Sequence, residues 1–202
     1  MNISIIGAAG MVGSALAAEA EERGHQVIRY TRSGSQPGAR ALDFSDTPAV
    51  KEVIEGGDVT VISVASRDDY DAAVAAHRAL IDARPRGRFI VIGGAGALQT
   101  GEGLLLESPD FPSEYLPEAT AFAAVHQAYH ESEGLEWSMI APSPMIAPGA
   151  RTGEYKVGLD TPAGGFVSAE DFAVAAVDEI EQPRHAGRRF TVASRDEAVA
   201  QD

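Results

Sequence analysis

A glycine-rich turn stands close to the amino terminus, in the stretch SIIGAAGMVGSAL at residues 4–16. An apolar run leads into Gly7, Gly10 and Gly13, and small or apolar residues follow at helical spacing. In a strand–turn–helix unit, such glycines permit a tight turn, let backbone approach a pyrophosphate, and let the helix pack against the strand. The helix amides then face the phosphates. The spacing is GxxGxxG rather than GxGxxG, and a turn that binds nothing would show the same pattern.

Strands and helices alternate along the chain. Short apolar, β-branched runs predict strands at 2–7, 26–31, 39–44, 58–65, 88–94, 136–142 and 188–193. Helical patterns occupy 10–23, 47–55, 68–84, 113–133 and 168–182, and the last of them opens on a capping box from Ser168 to Asp171. Strands of such continuous apolar character are buried on both faces. We therefore predict an α/β fold, a Rossmann-like doubly wound parallel sheet of six or seven strands with helices on both faces, as a single domain over 1–202.

Composition narrows the choice of partner. The formal net charge is −14, and the basic residues cluster only at 84–88 and 184–189, so nucleic acid is not an expected partner. The chain has no cysteine, which removes thiolate and disulfide chemistry. No apolar run approaches the roughly 20 residues of a membrane span, and the amino terminus lacks the basic flank of a signal peptide. We expect a cytoplasmic protein with a small-molecule substrate and no membrane association. A homodimer is compatible with these features.

The end of the second predicted strand indicates the cofactor. No Asp or Glu occurs between Glu22 and Asp43, where an enzyme selecting NAD usually places an acid for the ribose 2′-hydroxyl. The strand ends in YTRSGS, so Arg32 and Ser33 can contact a 2′-phosphate, and we expect NADP(H) in preference to NAD(H). Asp43 can accept from the adenine amino group and Phe44 can line its pocket. A solvated Arg32, a loop cap at Asp43 and a core Phe44 are the alternatives.

Five segments carry a family resemblance: IIGAAGMVGSALAAEAEERGHQVIRYTRS, FIVIGGAGAL, ESPDFPSEY, EWSMIAPSPMIAPGARTGEYKVG and VSAEDFAVAAVDEIEQPRHAGRRFTV. The chain resembles the NmrA-like, NAD(P)H-binding group of atypical short-chain dehydrogenases/reductases, and within it the NADH-flavin reductase-like proteins. The resemblance implies that the three glycines and Arg32 hold the dinucleotide. It also implies that Val64 and Ala65 border the adenosine ribose and that Gly93 and Gly94 lie near the nicotinamide, under a loop at 141–149. The full predicted cofactor set is Gly7, Ala9, Gly10, Met11, Val12, Gly13, Arg32, Ser33, Asp43, Phe44, Val64, Ala65, Gly93 and Gly94.

The sequence departs from the wider superfamily at the catalytic triad. Most relatives pair a tyrosine with a lysine four residues later and place a serine after the fifth strand. Here Tyr115 is followed at that spacing by Ala119, and the serine position is taken by Ala97. The only lysines are Lys51 and Lys156. General acid–base reduction by the usual triad is therefore not expected.

Two long segments rich in Gly, Pro and Ser follow the strands at 88–94 and 136–142, and we call them the first (94–117) and second (142–167) substrate-side loops. In an open α/β sheet such loops form the ligand crevice. Their large apolar residues are the predicted substrate contacts, although each also suits an ordinary core or loop-anchoring role. These predicted contacts are Phe111, Tyr115, Met145 and Ile146.

Catalytic candidates are few. His126 and His130 share a helix face at a spacing that can bind a metal, but no third ligand is evident and no metal is expected. His126 and Tyr115 are weak candidates for a proton donor. We assign no role to His25, to His77 on an apparently outer helix, or to His185 in an exposed-looking segment. Tyr155 and Lys156 are expected on extended surface peptide, with Lys156 as replacement for the missing helix lysine the less favoured alternative.

These features predict an NADP(H)-dependent oxidoreductase that transfers hydride to a flavin, quinone or similar conjugated acceptor, with the flavin as a candidate bound substrate. A stacked, electron-poor ring accepts hydride without a dedicated tyrosine, and the proton can come from solvent. A non-catalytic NADP(H) sensor is the alternative, and a sugar-nucleotide epimerase or dehydratase is less favoured because little chain remains to bind such a substrate.

Overall fold

The computed structural model describes residues 1–65 and 69–201, which form twelve strands and six α-helices. The strands are β1 Asn2–Ile6, β2 Gln26–Thr31, β3 Ala39–Ala41, β4 Val59–Ile62, β5 Arg88–Ile92, β6 Gln99–Thr100, β7 Gly103–Leu104, β8 Glu136–Ala141, β9 Met145–Ala147, β10 Tyr155–Gly158, β11 Phe166–Ser168 and β12 Arg189–Ser194. The helices are α1 Met11–Glu22, α2 Thr47–Gly56, α3 Tyr70–Ala83, α4 Leu116–His130, α5 Ala169–Glu181 and α6 Glu197–Ala200. None of the helices in these ranges is long and apolar enough to cross a bilayer.

The central sheet confirms the predicted doubly wound fold. Its order is β10-β12-β8-β5-β4-β1-β2-β3, and every neighbouring pair is parallel except β10 with β12. The predicted strand count of six or seven was too low, because the sheet has eight strands in the described chain. The additional strand, β10, lies in the second substrate-side loop and runs antiparallel along the edge. Tyr155 and Lys156 are therefore extended, as expected.

The sheet is buried on both faces by two apolar clusters. One cluster joins α1 and α5 to residues of one face, including Ile3, Ile5 and Phe190. The other joins α2, α3 and α4 to the opposite face, including Phe89, Trp137 and Met139. In the strands β1, β4, β5 and β8, side chains on opposite faces thus enter opposite clusters, which explains the continuous apolar runs in the sequence.

Five of the six described helices lie where the sequence predicts them, and their bounds differ from the prediction by at most three residues. Ser168 caps α5 by accepting from the Asp171 amide at 3.0 Å, as predicted. The second bond of a capping box is not formed, because the Ser168 amide donates to the Ser194 hydroxyl and not to the Asp171 carboxylate. The Asp171 carboxylate accepts instead from Thr152, Gly153 and Ser194. The helix predicted at 113–133 is shorter, since a 3₁₀ turn at Ser113–Tyr115 precedes α4. The predicted start of the third helix, at 68, lies outside the described residues.

The substrate-side loops contain short strands that periodicity did not reveal. In the first loop, β6 and β7 form a two-stranded hairpin. In the second loop, β9 pairs in parallel with β11, so Met145 lies opposite Phe166. These strands are only two to four residues long and have no room for an alternating pattern. They give the loops a defined path beside the carboxyl ends of β5 and β8.

Candidate functional site

A crevice is expected where the chain reverses its direction of winding across the sheet. From β1 the chain proceeds outward through β2 and β3, and then crosses back to β4 on the other side of β1. Loops that leave the carboxyl ends of β1 and β4 therefore diverge, and ligands of open α/β sheets bind at that position. The glycine turn leaves β1 at this point, and Val64 and Ala65 follow β4 beside it.

Two of the three glycines are required by the packing of the chain itself. Gly7 has φ +87°, and a Cβ there would lie 2.0 Å from the Ser63 carbonyl oxygen. A Cβ on Gly13 would lie 2.2 Å from the Gly7 carbonyl oxygen. Both distances are far below contact, so a side chain at either position displaces backbone. The turn is held further by the Gly7 and Ala8 amides, which donate to the Tyr30 carbonyl at 2.9 and 3.1 Å.

Gly10 has no such requirement. A Cβ at Gly10 would have only the Gly7 carbonyl oxygen near it, at an ordinary 3.5 Å. Gly10 is the N-cap of α1 in extended conformation, and it supplies no side-chain oxygen to the amides of the first turn. Ala9, Gly10 and Met11 are exposed. The start of α1 thus presents backbone amides to solvent without a capping side chain.

Four of the other five α-helices in the described chain have a side-chain cap at their start. Carboxylate or hydroxyl oxygens cap α2, α3, α5 and α6, whereas α4 continues from the 3₁₀ turn before it. The capping residues are Asp46, Asp69, Ser168 and Asp196. The positive end of the α1 dipole also has no acid in its first turn. This arrangement fits a diphosphate, since anions bind where free amides and the helix dipole coincide.

The residues predicted for the adenosine end surround the β2–β3 connection. Arg32 and Ser33 are exposed just after β2, and the Ser33 hydroxyl lies 2.7 Å from that of Ser35. Asp43 Oδ1 accepts from the amide and hydroxyl of Ser45 at 2.9 and 2.7 Å. These bonds, and then the charge of Arg32, lower the pKa of the Asp43 carboxyl. The geometry has the character of a loop cap.

Phe44 is buried, and its ring centroid lies 4.7 Å from that of His77. The sequence indicated no role for His77 on its outer helix, and in the structure α3 turns this side chain inward onto Tyr129. His77 Nδ1 lies 3.1 Å from the Tyr129 hydroxyl. Burial lowers the pKa of His77 to about 3 and raises the pKa of Tyr129. The pair is neutral at physiological pH and sits inside the core.

Gly93 and Gly94 follow β5, the strand next to β4. A Cβ on Gly93 would lie 2.9 Å from Met139 Sδ, and one on Gly94 would lie 2.9 Å from Phe122 Cδ2. Flexible side chains therefore press on both glycines. Val64, half-buried after β4, lines a small groove between α3 and α4 together with Ala65 and Phe122. The predicted ribose and nicotinamide residues thus share one edge of the sheet with the glycine turn.

The predicted substrate contacts line the two substrate-side loops at the same edge. Tyr115 and Met145 are 57% and 61% exposed, and Phe111 and Ile146 are half-buried. Met11, next to the glycine turn, is exposed as well. Large apolar side chains left in solvent at a strand edge are typical of a binding surface.

The remaining titratable candidates differ in their surroundings. Burial, followed by the positive charge of Arg189, lowers the pKa of His126 to about 4, so its imidazole is neutral near pH 7. The ring centroids of His126 and His130 are 6.0 Å apart. Residues 1–65 and 69–201 hold no group of three or more side chains placed to bind a metal. His185 is less exposed than predicted, because its ring stacks on Phe190 and bonds to buried Glu179.

Both lysines lie away from the glycine turn. Lys51 donates to the Ala83 carbonyl between α2 and α3, at 2.9 Å. Lys156 lies 3.4 Å from Glu197 on the edge strand β10. A surface depression of about 670 Å³ borders this pair, lined partly by Arg195 and Val199. The depression adjoins the last strand of the sheet, and its charged residues pair with one another, so we do not assign the nucleotide to it.

Sequence reasoning missed the residues that anchor the second substrate-side loop. Buried Glu19 accepts from Arg151 at 2.6 and 2.9 Å and from Arg23 at 2.8 Å, which lowers the pKa of Glu19. Asp171, fully buried, receives four hydrogen bonds, three of them from Thr152 and Gly153. These acids lie on helices α1 and α5. Their position on the buried faces of amphipathic helices was the one signal in the sequence.

Comparison with known proteins identifies a family and several relatives for this chain. Residues 7–183 match the family described as NAD(P)H-binding. The uncharacterized protein YwnB of Bacillus subtilis is 33% identical, over 98% of this chain and all of that protein. A Streptococcus pneumoniae structure described as "a putative NADH-flavin reductase" is 27% identical, with a TM-score of 0.87, over 96% of this chain and 100% of that one. A Bacteroides thetaiotaomicron structure described as a "putative epimerase" is 31% identical, with a TM-score of 0.83, over 96% of each chain.

Proposed function

The chain belongs to the NAD(P)H-binding family, and from that premise we propose that it is an NADP(H)-dependent reductase that passes hydride to a flavin, a quinone or a similar conjugated acceptor. The observation that carries the proposal is the uncapped start of α1 at Gly10. A glycine that the fold does not require, beside amides without a side-chain cap, fits a backbone approach to a diphosphate. Gly10 and the amides of Met11 to Gly13 would hold that group.

Preference for NADP(H) rests on the residues after β2. Arg32 offers a planar guanidinium and Ser33 a hydroxyl to a 2′-phosphate. The first acid after β2, Asp43, is engaged by Ser45 and so is poorly placed to accept from a ribose 2′-hydroxyl. A carboxylate at the end of β2 would repel the phosphate, and this chain has none there.

The proposed acceptor class follows from the lack of a suitable proton donor. Tyr129, the tyrosine inside α4, is fully buried against His77, and its raised pKa makes it a poor proton donor. Both lysines pair elsewhere, so neither would lower a tyrosine pKa beside the glycine turn. When bound, the dinucleotide supplies a hydride at its nicotinamide. An acceptor whose own ring stabilises the added electrons needs orientation from the protein and a proton from solvent.

Orientation would come from the two substrate-side loops. Tyr115 from the first and Met145 from the second offer exposed apolar surface on which a planar ring can stack. Phe111 and Ile146 would form the half-buried base of each wall. Apolar walls also exclude water from the reacting rings. The Streptococcus protein described as "a putative NADH-flavin reductase" supports this acceptor class.

A non-catalytic NADP(H) sensor is the second candidate, and the burial of Tyr129 is the observation that favours it. Oxidation of NADPH, followed at 340 nm with flavin mononucleotide or a small quinone, separates the two. Turnover with either acceptor supports the reductase. Tight NADPH binding without turnover on either acceptor favours the sensor, and failure to bind NADPH or NADH at millimolar concentration overturns both.

A further inference from the structure

Arg189 is a buried cation at the start of β12. Its side chain is 3% exposed, and its Nη1 donates to the Ala97 carbonyl at 2.9 Å. Its Nη2 donates to Asp160 Oδ1 at 2.8 Å. Nε is also buried, with no hydrogen-bond partner among the described residues. A guanidinium removed from water in this way depends on the few partners that it has.

Ala97 and Asp160 belong to different substrate-side loops. Ala97 ends the 3₁₀ turn Ala95–Ala97, which directly follows Gly93 and Gly94. Asp160 follows β10 in the second loop, and its backbone carbonyl accepts from the Gln99 amide at 2.6 Å. Asp160 therefore holds the first loop twice, directly through its main chain and indirectly through Arg189.

The charges of Arg189 and Asp160 also act on His126 of helix α4. The pKa of His126 is lowered first by burial and then by Arg189, and Asp160 acts in the opposite direction. The Arg189 guanidinium thus bonds to the turn after β5 and to the second loop, and its charge acts on His126 of α4. Three elements that border the proposed acceptor space meet at one ion pair.

We propose that Asp160 and Arg189 are positioning residues that set the turn after β5 against the second substrate-side loop and thereby fix the width of the acceptor space. The inference rests on the proposed reductase function. Neither side chain is assigned contact with the nicotinamide or the acceptor. Their effect passes through Ala97 and Gln99, so it is felt in acceptor binding and alignment rather than in dinucleotide binding.

The decisive variants change Asp160, because its side chain is 64% exposed and its replacement keeps the backbone carbonyl that accepts from Gln99. In Asp160→Ala we expect KM for the acceptor to rise about tenfold, since small displacements in a reacting pair cost large factors. The dissociation constant of NADPH should stay within about twofold. Asp160→Glu, which restores a carboxylate, should recover much of the loss.

Glu154→Gln is the matched control. Glu154 lies in the same loop and is 69% exposed, but its partner Arg195 is 64% exposed rather than buried. Exposed ion pairs contribute little, so this variant should behave like the unaltered protein. An equal rise in KM in both variants would show that any charge change in the loop suffices, and would overturn the assignment.

Hydrogen exchange separates this inference from the proposed function. In Asp160→Ala the Gln99 amide should exchange about tenfold faster, while the Gly7 amide, bonded to Tyr30, should be unchanged. The measurement needs no substrate, so it holds even if no acceptor supports turnover. A folded Asp160→Ala protein with unaltered Gln99 exchange and unaltered acceptor KM overturns the proposal.

Discussion

Gly13 rests against the carbonyl of Gly7, so closely that a Cβ on Gly13 would lie 2.2 Å from that oxygen. The first turn of α1 is thereby locked onto the end of β1 by backbone contact alone. Gly10, between them, takes no part in this contact. Packing therefore requires glycine at Gly7 and Gly13, whereas the role that we propose for Gly10 is in ligand binding.

Gly10→Val tests this division. We expect the variant to fold with a melting temperature near that of the unaltered protein and to lose NADPH affinity at least tenfold, because the side chain would occupy the diphosphate position. Gly56→Val is the control, since that position is exposed and open. Gly13→Ala should instead cost about 2 kcal/mol or more of unfolding free energy. Retention of NADPH affinity in Gly10→Val would contradict the ligand role of this glycine.

Arg32→Asp tests the coenzyme preference. The change replaces a cation that would face a 2′-phosphate by an anion, so NADPH affinity should fall about 10–100-fold while NADH affinity changes about twofold or less. Arg78→Asp, an equal change of charge on the exposed side of α3, controls for net charge. Fluorescence titration with both coenzymes is the measurement, and equal losses for the two would refute the 2′-phosphate contact.

Two tyrosine variants test whether either ring acts as an acid. Tyr115→Phe should keep kcat within about twofold, because it preserves the apolar surface, whereas Tyr115→Ala should raise KM for the acceptor. Tyr129→Phe should also keep kcat, while losing about 1 kcal/mol of stability with the His77 hydrogen bond. A fall in kcat of a hundredfold or more in either Phe variant would identify a proton donor and contradict the proposed chemistry.

His77 predicts a specific loss of stability in acid. The folded pKa of about 3 lies below the ordinary 6.5, so the unfolded state binds the proton first as pH falls below 6.5. Between pH 7.5 and 5.0 this residue should remove about 2 kcal/mol of unfolding free energy. Urea titrations of the unaltered protein and of His77→Gln should show a smaller pH dependence in the variant. The same pH dependence in both would contradict the buried, neutral assignment.

The architecture could be predicted from the sequence, because strands that are buried on both faces appear as continuous apolar runs. Runs such as VTVI in β4 face apolar clusters on both sides, and Ser168 marks a helix start through a local bond. The sequence did not reveal strand β10, because four residues are too few to show an alternating pattern. The strand pairs in the sheet with β12, which is distant in sequence. Local patterns report local geometry, and an edge strand depends on its neighbour.

The candidate site divides in the same way. The glycine turn is contiguous, so its spacing together with its place between the first strand and the first helix predicted a diphosphate site there. The ion pair of Asp160 and Arg189 joins residues 29 positions apart, and Arg189 appeared in the sequence as one member of a basic surface cluster. The sequence indicated no role for His77, because a single polar residue on an apolar helix face gives no sign of a buried partner such as Tyr129. Pairings of this kind become visible only when the helices pack.

Arg151 ties the second substrate-side loop to Glu19 on the very helix that begins at the glycine turn. The segment between β8 and Arg151 is consequently anchored at both ends, by the central sheet and by the ion pair with Glu19. Insertions or deletions there would reshape the acceptor space while the nucleotide helix kept its place. Under the proposed function, related chains can therefore change the acceptor that they reduce while the coenzyme site stays the same.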